Sequence, residues 1–108
     1  MKTDGICNDE CPVSRASDVF SGKWTTLIVR DLLSGRKRYS QLQRSLSGIS
    51  PRMLAARLSM LEEAGLITKT IYPTVPPKTE YELTATGRRI EPVILAMAAF
   101  GAGLAAAE

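Results

Sequence analysis

The chain contains no histidine, and this absence removes several classes of function at once. Histidine is the commonest general base in enzymes, the usual partner of a nucleophilic Ser or Cys, and the commonest metal ligand. The carboxylate pairs Asp9-Glu10 and Glu62-Glu63 are sequence neighbours, which point in different directions on a helix and so cannot form a catalytic dyad. A Gly-rich phosphate loop and the ligand spacing of a metal site are also missing. We therefore predict a protein that is not an enzyme and needs no metal or cofactor.

Cysteines and long apolar runs are scarce as well. Two cysteines in 108 residues do not make a disulfide framework. The apolar stretches 29–33 and 93–104 are too short or too interrupted by Gly for a membrane span, and the N-terminus lacks the apolar run of a signal peptide. A chain of this length has room for one domain. We expect a single cytoplasmic domain over residues 1–108, without membrane contact.

Acidic residues are absent from one segment in particular. Between Asp31 and Glu62 the sequence carries six basic residues and no acid, although the formal net charge of the whole chain is only +3. Such a positive block is typical of proteins that bind a polyanion. Its members are Arg36, Lys37, Arg38, Arg44, Arg52 and Arg57.

Turn signals divide the first part of the chain into four predicted helices. Pro12 suits the first turn of a helix over residues 12–20, and a wide apolar stripe predicts a second, buried helix over residues 24–33. Ser40 is predicted to cap a short third helix, and Ser50, which precedes a proline, a fourth helix. Two short helices around a tight connection predict a helix-turn-helix.

The second part of the chain changes from helical to strand periodicity. β-branched alternation predicts a strand over 66–72, and a proline-rich turn separates it from a second predicted strand over 78–83. From Thr84, a predicted cap, a last helix runs towards the C-terminus with apolar residues at a spacing of three and four. The fold class predicted is mainly α with a small β-hairpin wing, a winged helix-turn-helix.

The outer face of the fourth helix is predicted to enter the major groove of double-stranded DNA, where Arg can read guanine edges. Ser50 is expected both to cap this helix and to hold a phosphate at its start. For the basic residues before the third helix, phosphate contact is weighed against a solvated turn. The predicted DNA-binding residues are Arg36, Lys37, Arg38, Ser40, Gln41, Ser50, Arg52, Met53, Ala56, Arg57 and Lys78.

Cys11 has competing interpretations. It precedes Pro12 at a predicted helix start, and Arg15 lies one turn further on. A helix N-terminus and a nearby cation are the surroundings of a reactive thiol, which an oxidant or a quinone would modify. Cys7 would then resolve a sulfenate on Cys11 or pair across a dimer. The alternatives are a thiol without redox chemistry, and a metal site shared by two chains, since one chain supplies only two of four ligands.

Several short motifs form one set along the chain. They are Cys11-Pro12-Val13, Gly22-Lys23-Trp24-Thr25, Tyr39-Ser40-Gln41-Leu42, Gly48-Ile49-Ser50-Pro51-Arg52-Met53-Leu54, Leu61-Glu62-Glu63-Ala64-Gly65-Leu66, Tyr72-Pro73-Thr74-Val75-Pro76-Pro77, Tyr81-Glu82-Leu83-Thr84 and Gly87. Together they resemble the HxlR-type family of bacterial winged-helix transcriptional regulators. The resemblance implies a DNA-binding repressor or activator, a homodimer joined by its N- and C-terminal helices, and a wing that touches DNA. It also implies that a cysteine at the Cys-Pro position senses oxidants or electrophiles in some members.

The apolar stripe of the last helix exceeds what one small domain needs to bury, and it predicts a dimer interface. The residues predicted for this interface are Val13, Ile90, Ile94, Met97, Gly101 and Leu104. We expect a homodimeric repressor on a pseudo-palindromic operator, released by oxidation or alkylation of Cys11. Two alternatives stay open. A small-molecule effector in a cleft between the dimer helices and the core would replace the thiol switch, or the winged helix would recruit a protein partner instead of DNA.

Overall fold

Helices build most of the fold, and a small sheet closes one side of it. The computed structural model describes residues 11–20 and 22–107 of the chain. The elements in chain order are α1 (Pro12–Val19), α2 (Lys23–Leu33), β1 (Lys37–Arg38), α3 (Tyr39–Ser45), α4 (Pro51–Glu63), β2 (Ile67–Tyr72), β3 (Lys78–Leu83), α5 (Ala85–Arg88) and α6 (Glu91–Ala107). The mainly α winged helix-turn-helix predicted from the sequence is confirmed.

The core lies where α2, α3 and α4 meet the inner face of the sheet. Ile28 and Leu32 of α2 are fully buried, as are Leu42 of α3 and Leu54 of α4. They recur at intervals of three and four along their helices, which is why each helix has one inward stripe. Burial of one such side chain stabilises the fold by about 1.5–3 kcal/mol. This packing fixes the angle between α3 and α4, on which the site depends.

The sheet has three strands instead of the two that were predicted. Its order is β1-β3-β2 and all pairing is antiparallel, with Lys37 opposite Tyr81 and Arg38 opposite Glu80. A strand of two residues is too short for an alternating pattern, so no sequence signal marks it. Its consequence is structural, because β1 ties the start of α3 directly to the wing.

The predicted cap of α4 is confirmed and that of α3 is wrong. Ser50 Oγ accepts a hydrogen bond from the Met53 N–H at 3.0 Å, as the Ser-Pro pair indicates. Helix α3 instead begins after Arg38, whose N–H donates to Gln41 Oε1 at 2.8 Å. Ser40 is thus the second residue of the helix, and Gln41 supplies the capping side chain.

The last helix is divided in two, whereas one continuous helix from Thr84 was predicted. Pro92 lacks the N–H that would donate to the Arg88 carbonyl, so a continuous helix from Thr84 cannot keep its hydrogen bonds. The break falls at residues 89–90. Gly87 in α5 packs so closely on the Leu66 carbonyl that a Cβ at this position would collide with that oxygen.

Helix α6 is apolar on all sides and largely uncovered. Ile90, just before its start, is only 8% exposed and belongs to the core, so it does not fit the predicted interface, whereas Ile94 is only partly buried and packs against the core on one side. Further along, Leu95 and Phe100 are 62% and 71% exposed. A helix that is apolar all round is normally buried against other elements, and the described part of this chain does not bury it. None of the helices in residues 11–20 and 22–107 has the length and apolar character that a membrane crossing requires.

Candidate nucleic-acid interface

The outer face of α4 is a small-residue surface with one long cation. Its exposed side chains are Arg52, Met53, Ala55, Ala56 and Ser59. The buried stripe of the same helix lies opposite, so the core holds α4 with this face turned outwards. Small side chains let a helix lie deep in a groove, and Arg52 is long enough to reach base edges from there. Ala55 and Ser59 were missed, although their helical positions place them beside Arg52.

Arg57 does not share this face, and the prediction that it does is wrong. Arg57 comes five positions after Arg52, which places it about 140° away around a helix of 3.6 residues per turn. Its side chain is partly buried beside Gly22 at the start of α2, where a Cβ would lie 3.4 Å from Arg57 Nη2. Arg57 Nε is buried and has no hydrogen-bond partner among the described residues. Arg57 therefore joins α4 to the junction between α1 and α2.

The connection between α3 and α4 is held by side chains on both sides of it. Tyr39 donates its hydroxyl proton to the Pro51 carbonyl at 3.1 Å, and Gln43 Nε2 donates to the Ile49 carbonyl at 2.7 Å. Gly48 has a φ of 92°, a conformation that favours glycine. These contacts fix how α4 leaves the turn, and thereby the direction in which its outer face points.

A second basic surface lies between the start of α3 and the wing. It is a cleft of about 280 Å³, which we call the wing-base cleft. Arg38, Ser40 and Lys78 are exposed around it, so two cations and a hydroxyl converge where the wing leaves the helical body. Such groups bind phosphate oxygens without reading base sequence. The lining residues are Arg38, Tyr39, Ser40, Pro77, Lys78 and Thr79.

Arg36 is engaged within the protein and is not part of the wing-base cleft. Its guanidinium nitrogens lie 3.3 Å from Glu82 Oε1 and 3.5 Å from Glu80 Oε1. Tyr72 completes the cluster by donating its hydroxyl proton to Glu80 at 3.0 Å. Glu82 raises the pKa of Arg36 above its usual value through its charge and a hydrogen bond, with smaller contributions from Tyr72 and Glu80. Arg36 thus positions the wing, and its predicted phosphate contact has no support from this geometry.

Lys37 lies away from Arg38, although the two are adjacent in sequence. Alternate residues of a strand point to opposite faces, and Lys37 is partly buried in a cleft that it shares with Asp31 and Gln41. Asp31 there accepts hydrogen bonds from Ser45 Oγ at 2.7 Å and from Arg30 Nη2 at 3.0 Å. The predicted basic cluster of residues 36–38 is therefore split among three surroundings, and only Arg38 joins the wing-base cleft.

Cys11 is the residue that precedes α1, with Pro12 at the first helical position, as predicted. Its carbonyl accepts the Arg15 N–H at 3.0 Å, and its side chain is only 4% exposed. Cys7 lies outside the described residues. Within residues 11–20 and 22–107 no three or more Cys, Asp or Glu side chains cluster as metal ligands.

An outward helix after a tight turn, a basic cleft and an antiparallel wing define a winged-helix DNA-binding protein of transcription regulation. Residues 19–108 match the HxlR-like helix-turn-helix family, and the chain belongs to it. An HTH-type transcriptional regulator of Synechocystis sp. is 43% identical over 91 residues, which cover 84% of this chain and 67% of the relative.

Two solved structures are similar to the fold. A transcriptional regulator of the MarR family from Porphyromonas gingivalis W83 superposes with a TM-score of 0.84 at 44% identity, covering 87% of this chain and 92% of that one. The redox regulator HypR in its oxidized form superposes with a TM-score of 0.80 at 39% identity, covering 86% and 96% of the two chains. The similarity extends over almost all of the described fold.

Proposed function

We propose that this protein is a transcriptional repressor that acts in the cytoplasm as a homodimer on a pseudo-palindromic operator. The observation that carries the proposal is the outer face of α4, which is exposed and bears no acidic side chain from Arg52 to Ser59. The wing-base cleft lies between α3 of the same helix-turn-helix and the wing. The helix would read base pairs in the major groove while the cleft holds the phosphate backbone.

The apolar surface of α6 supports the dimer. Its exposed side chains include Leu95, Met97, Phe100 and Leu104, and Val13 of α1 is exposed as well. An apolar surface of this extent on a small regulator marks a protein–protein contact, and a second copy of the chain offers the same surface. Two-fold symmetry would then place the two α4 helices in major grooves about one helical turn apart.

Arg52→Ala tests recognition through α4. We expect operator binding to weaken by about 1 to 3 kcal/mol per half-site and specificity to relax at one base pair, because a bidentate contact to guanine is lost. Arg38→Ala is the matched control and should weaken binding to operator and random duplexes alike, with a salt slope smaller by about one unit per lost phosphate contact. Fluorescence anisotropy over a salt series measures both. Equal losses on both duplexes for Arg52→Ala would mean that Arg52 touches phosphate only.

A redox switch at Cys11 is the second part of the proposal. The thiol lies at the start of α1, and a relative of similar fold, HypR, is a redox regulator. Because the side chain is only 4% exposed, an oxygen or alkyl group added to the sulfur would crowd its neighbours, and a shift of α1 would relieve that crowding. Movement of α1 would change the spacing of the two α4 helices and release the operator.

Cys11→Ser tests that switch. The variant should keep operator affinity within about tenfold, roughly 1.4 kcal/mol, but no longer respond to diamide or a quinone. Cys7→Ser serves as the control, and it should still respond to the quinone, whose addition needs only the Cys11 thiol. Fluorescence anisotropy of operator binding, measured before and after treatment with diamide or the quinone, distinguishes the two variants. Continued release by the double variant lacking both cysteines would refute thiol sensing, and a block by Cys7→Ser alone would assign the sensor to Cys7.

A second candidate for the signal is a small effector, which a cavity favours. About 250 Å³ of space lies between α1 and the α5–α6 junction, walled by Val19, Phe20 and Val93. Arg89 also lines this cavity, and it makes no ion pair with a described residue. The site suits an apolar molecule with one negative group. If the variant that lacks both cysteines still releases the operator in response to the signal, the small effector is favoured.

A further inference from the structure

Two cations lie at the start of α2, outside the wing-base cleft. Lys23 is exposed, and its Nζ lies 4.6 Å from the centroid of the Trp24 ring, which holds the ammonium group by a cation–π contact. Arg57 of α4 reaches the same place, with Nη2 3.4 Å from the position of a Cβ on Gly22. Residues 19–30 include no acid. Lys23 and Arg57 therefore form a basic surface, which we call the α2 basic surface.

The α2 basic surface is fixed to the helix-turn-helix at two points. Trp24 lies beside the turn between α3 and α4, where a Cβ on Gly48 would be 4.0 Å from Trp24 Cη2. Arg57 supplies the second point, because it belongs to α4 itself. Behind these contacts, Ile28 of α2 and Leu54 of α4 are fully buried in one core. The surface therefore keeps one position relative to the outer face of α4.

That position corresponds to the edge of the groove that α4 would occupy. An α-helix with its side chains is about 10–12 Å in diameter and the major groove is about 12 Å wide, so an inserted helix fills the groove. Arg57 lies about 140° from Arg52 around α4, which is beside the outer face and not on it. A group on the side of a helix that fills the groove meets the rim of the groove. Because the rim consists of sugar and phosphate, a cation there contacts the DNA backbone.

The charge of Arg57 has no counter-ion among the described residues. Arg57 is partly buried, its Nε has no hydrogen-bond partner there, and it makes no ion pair with a described residue. A partly buried charge without a partner costs free energy, which an anion bound to the guanidinium group would offset. A phosphate of the duplex would supply that negative charge.

We propose that Lys23 and Arg57 bind a phosphate of the DNA backbone, and that the α2 basic surface is a second phosphate site in addition to the wing-base cleft. This inference rests on the proposed DNA binding. Lys23 supplies a point charge and Arg57 a planar set of donors, and neither reads base sequence from this place. Trp24 is a positioning residue, because its ring holds the Lys23 ammonium group beside the turn. The site adds affinity for every duplex alike.

Arg57→Met and Lys23→Met test the site, since methionine keeps an apolar side chain and removes the charge. Each variant should bind operator and random duplexes about tenfold more weakly, with a salt slope smaller by about one unit. Arg57→Met should also unfold at the same or a higher temperature, because the free protein loses an uncompensated charge. Arg88→Met is the matched control. It removes an exposed arginine from α5, and duplex binding and salt slope should stay unchanged. Fluorescence anisotropy over a salt series and thermal unfolding provide these readouts.

Three results would overturn the inference. A lower unfolding temperature with an unchanged salt slope for Arg57→Met would show that Arg57 has a structural role only. Weaker binding of the operator but not of random duplexes would show that the two cations read bases. If Arg52→Ala behaves as expected and both methionine variants keep the parent slope, the DNA-binding function stands and this site fails. If the unmodified protein binds no duplex at all, the proposed function fails together with the inference.

Discussion

Phe100→Glu should convert the protein into a monomer and lower its operator affinity by about 10²–10⁴-fold, because two linked half-sites bind far more tightly than one. Phe100 is 71% exposed near the middle of α6. A carboxylate there would be buried without a partner in any helix–helix contact, at a cost of several kcal/mol per charge. Sedimentation velocity at micromolar concentration measures the assembly, and anisotropy measures the affinity.

Phe100→Leu is the matched control, since it keeps an apolar side chain at the same position. It should remain a dimer and bind the operator within about tenfold of the unmodified protein. Circular dichroism should show that both variants keep the helical content of the parent. A dimeric Phe100→Glu would place the interface elsewhere, and a monomeric unmodified protein would remove the two-fold operator from the proposal.

Gly87→Ala should destabilise the fold by about 3 kcal/mol and lower its unfolding temperature by about 10–20 °C. The added Cβ would collide with the Leu66 carbonyl oxygen, and it would lie 3.0 Å from Leu83 Cδ2. Backbone at this junction cannot move easily, because the Leu66 carbonyl also accepts the Thr84 N–H at 3.0 Å. Thermal and urea unfolding measure the loss.

Gly103→Ala is the control for this substitution, since a Cβ on Gly103 meets nothing within 4 Å. With both glycine substitutions made on the monomeric Phe100→Glu background, in which α6 is exposed, Gly103→Ala should be neutral or stabilise by about 0.5–1 kcal/mol. If both glycine substitutions had equal effects, close packing at Gly87 would not be the cause.

Signals within a few residues of each other made most of the fold predictable from the sequence. Ser50 followed by a proline marks the start of α4, and the spacing of Leu54 and Leu58 marks its buried stripe. β-branched alternation marks strand β2, and the proline-rich turn separates it from β3. Strand β1 could not be predicted, because its two residues become a strand only by pairing with β3, more than forty residues later.

The candidate site was predictable only in part, for the same reason. The exposed position of Arg52 depends on its own helix, and the structure agrees with the prediction. Arg36 was assigned to DNA because its neighbours in sequence are basic, but its partners Glu80 and Glu82 come from the distant strand β3. The assignment of Arg57 to the outer face was wrong for a different reason. Its position about 140° from Arg52 around α4 follows from the sequence alone and already places it off that face.

Strand β1 makes the helix-turn-helix and the wing one rigid piece, since Arg38 is at once a strand residue paired with Glu80 and the residue that precedes α3. The two surfaces proposed to contact DNA therefore stand at a constant distance from each other. One inserted base pair lengthens a duplex by about 3.4 Å, and a hydrogen-bonded sheet cannot stretch by that amount. On a promoter with one additional base pair between the two contacts, only one of them could form. The protein would thus recognise the spacing between the two contacts in an operator together with the base sequence.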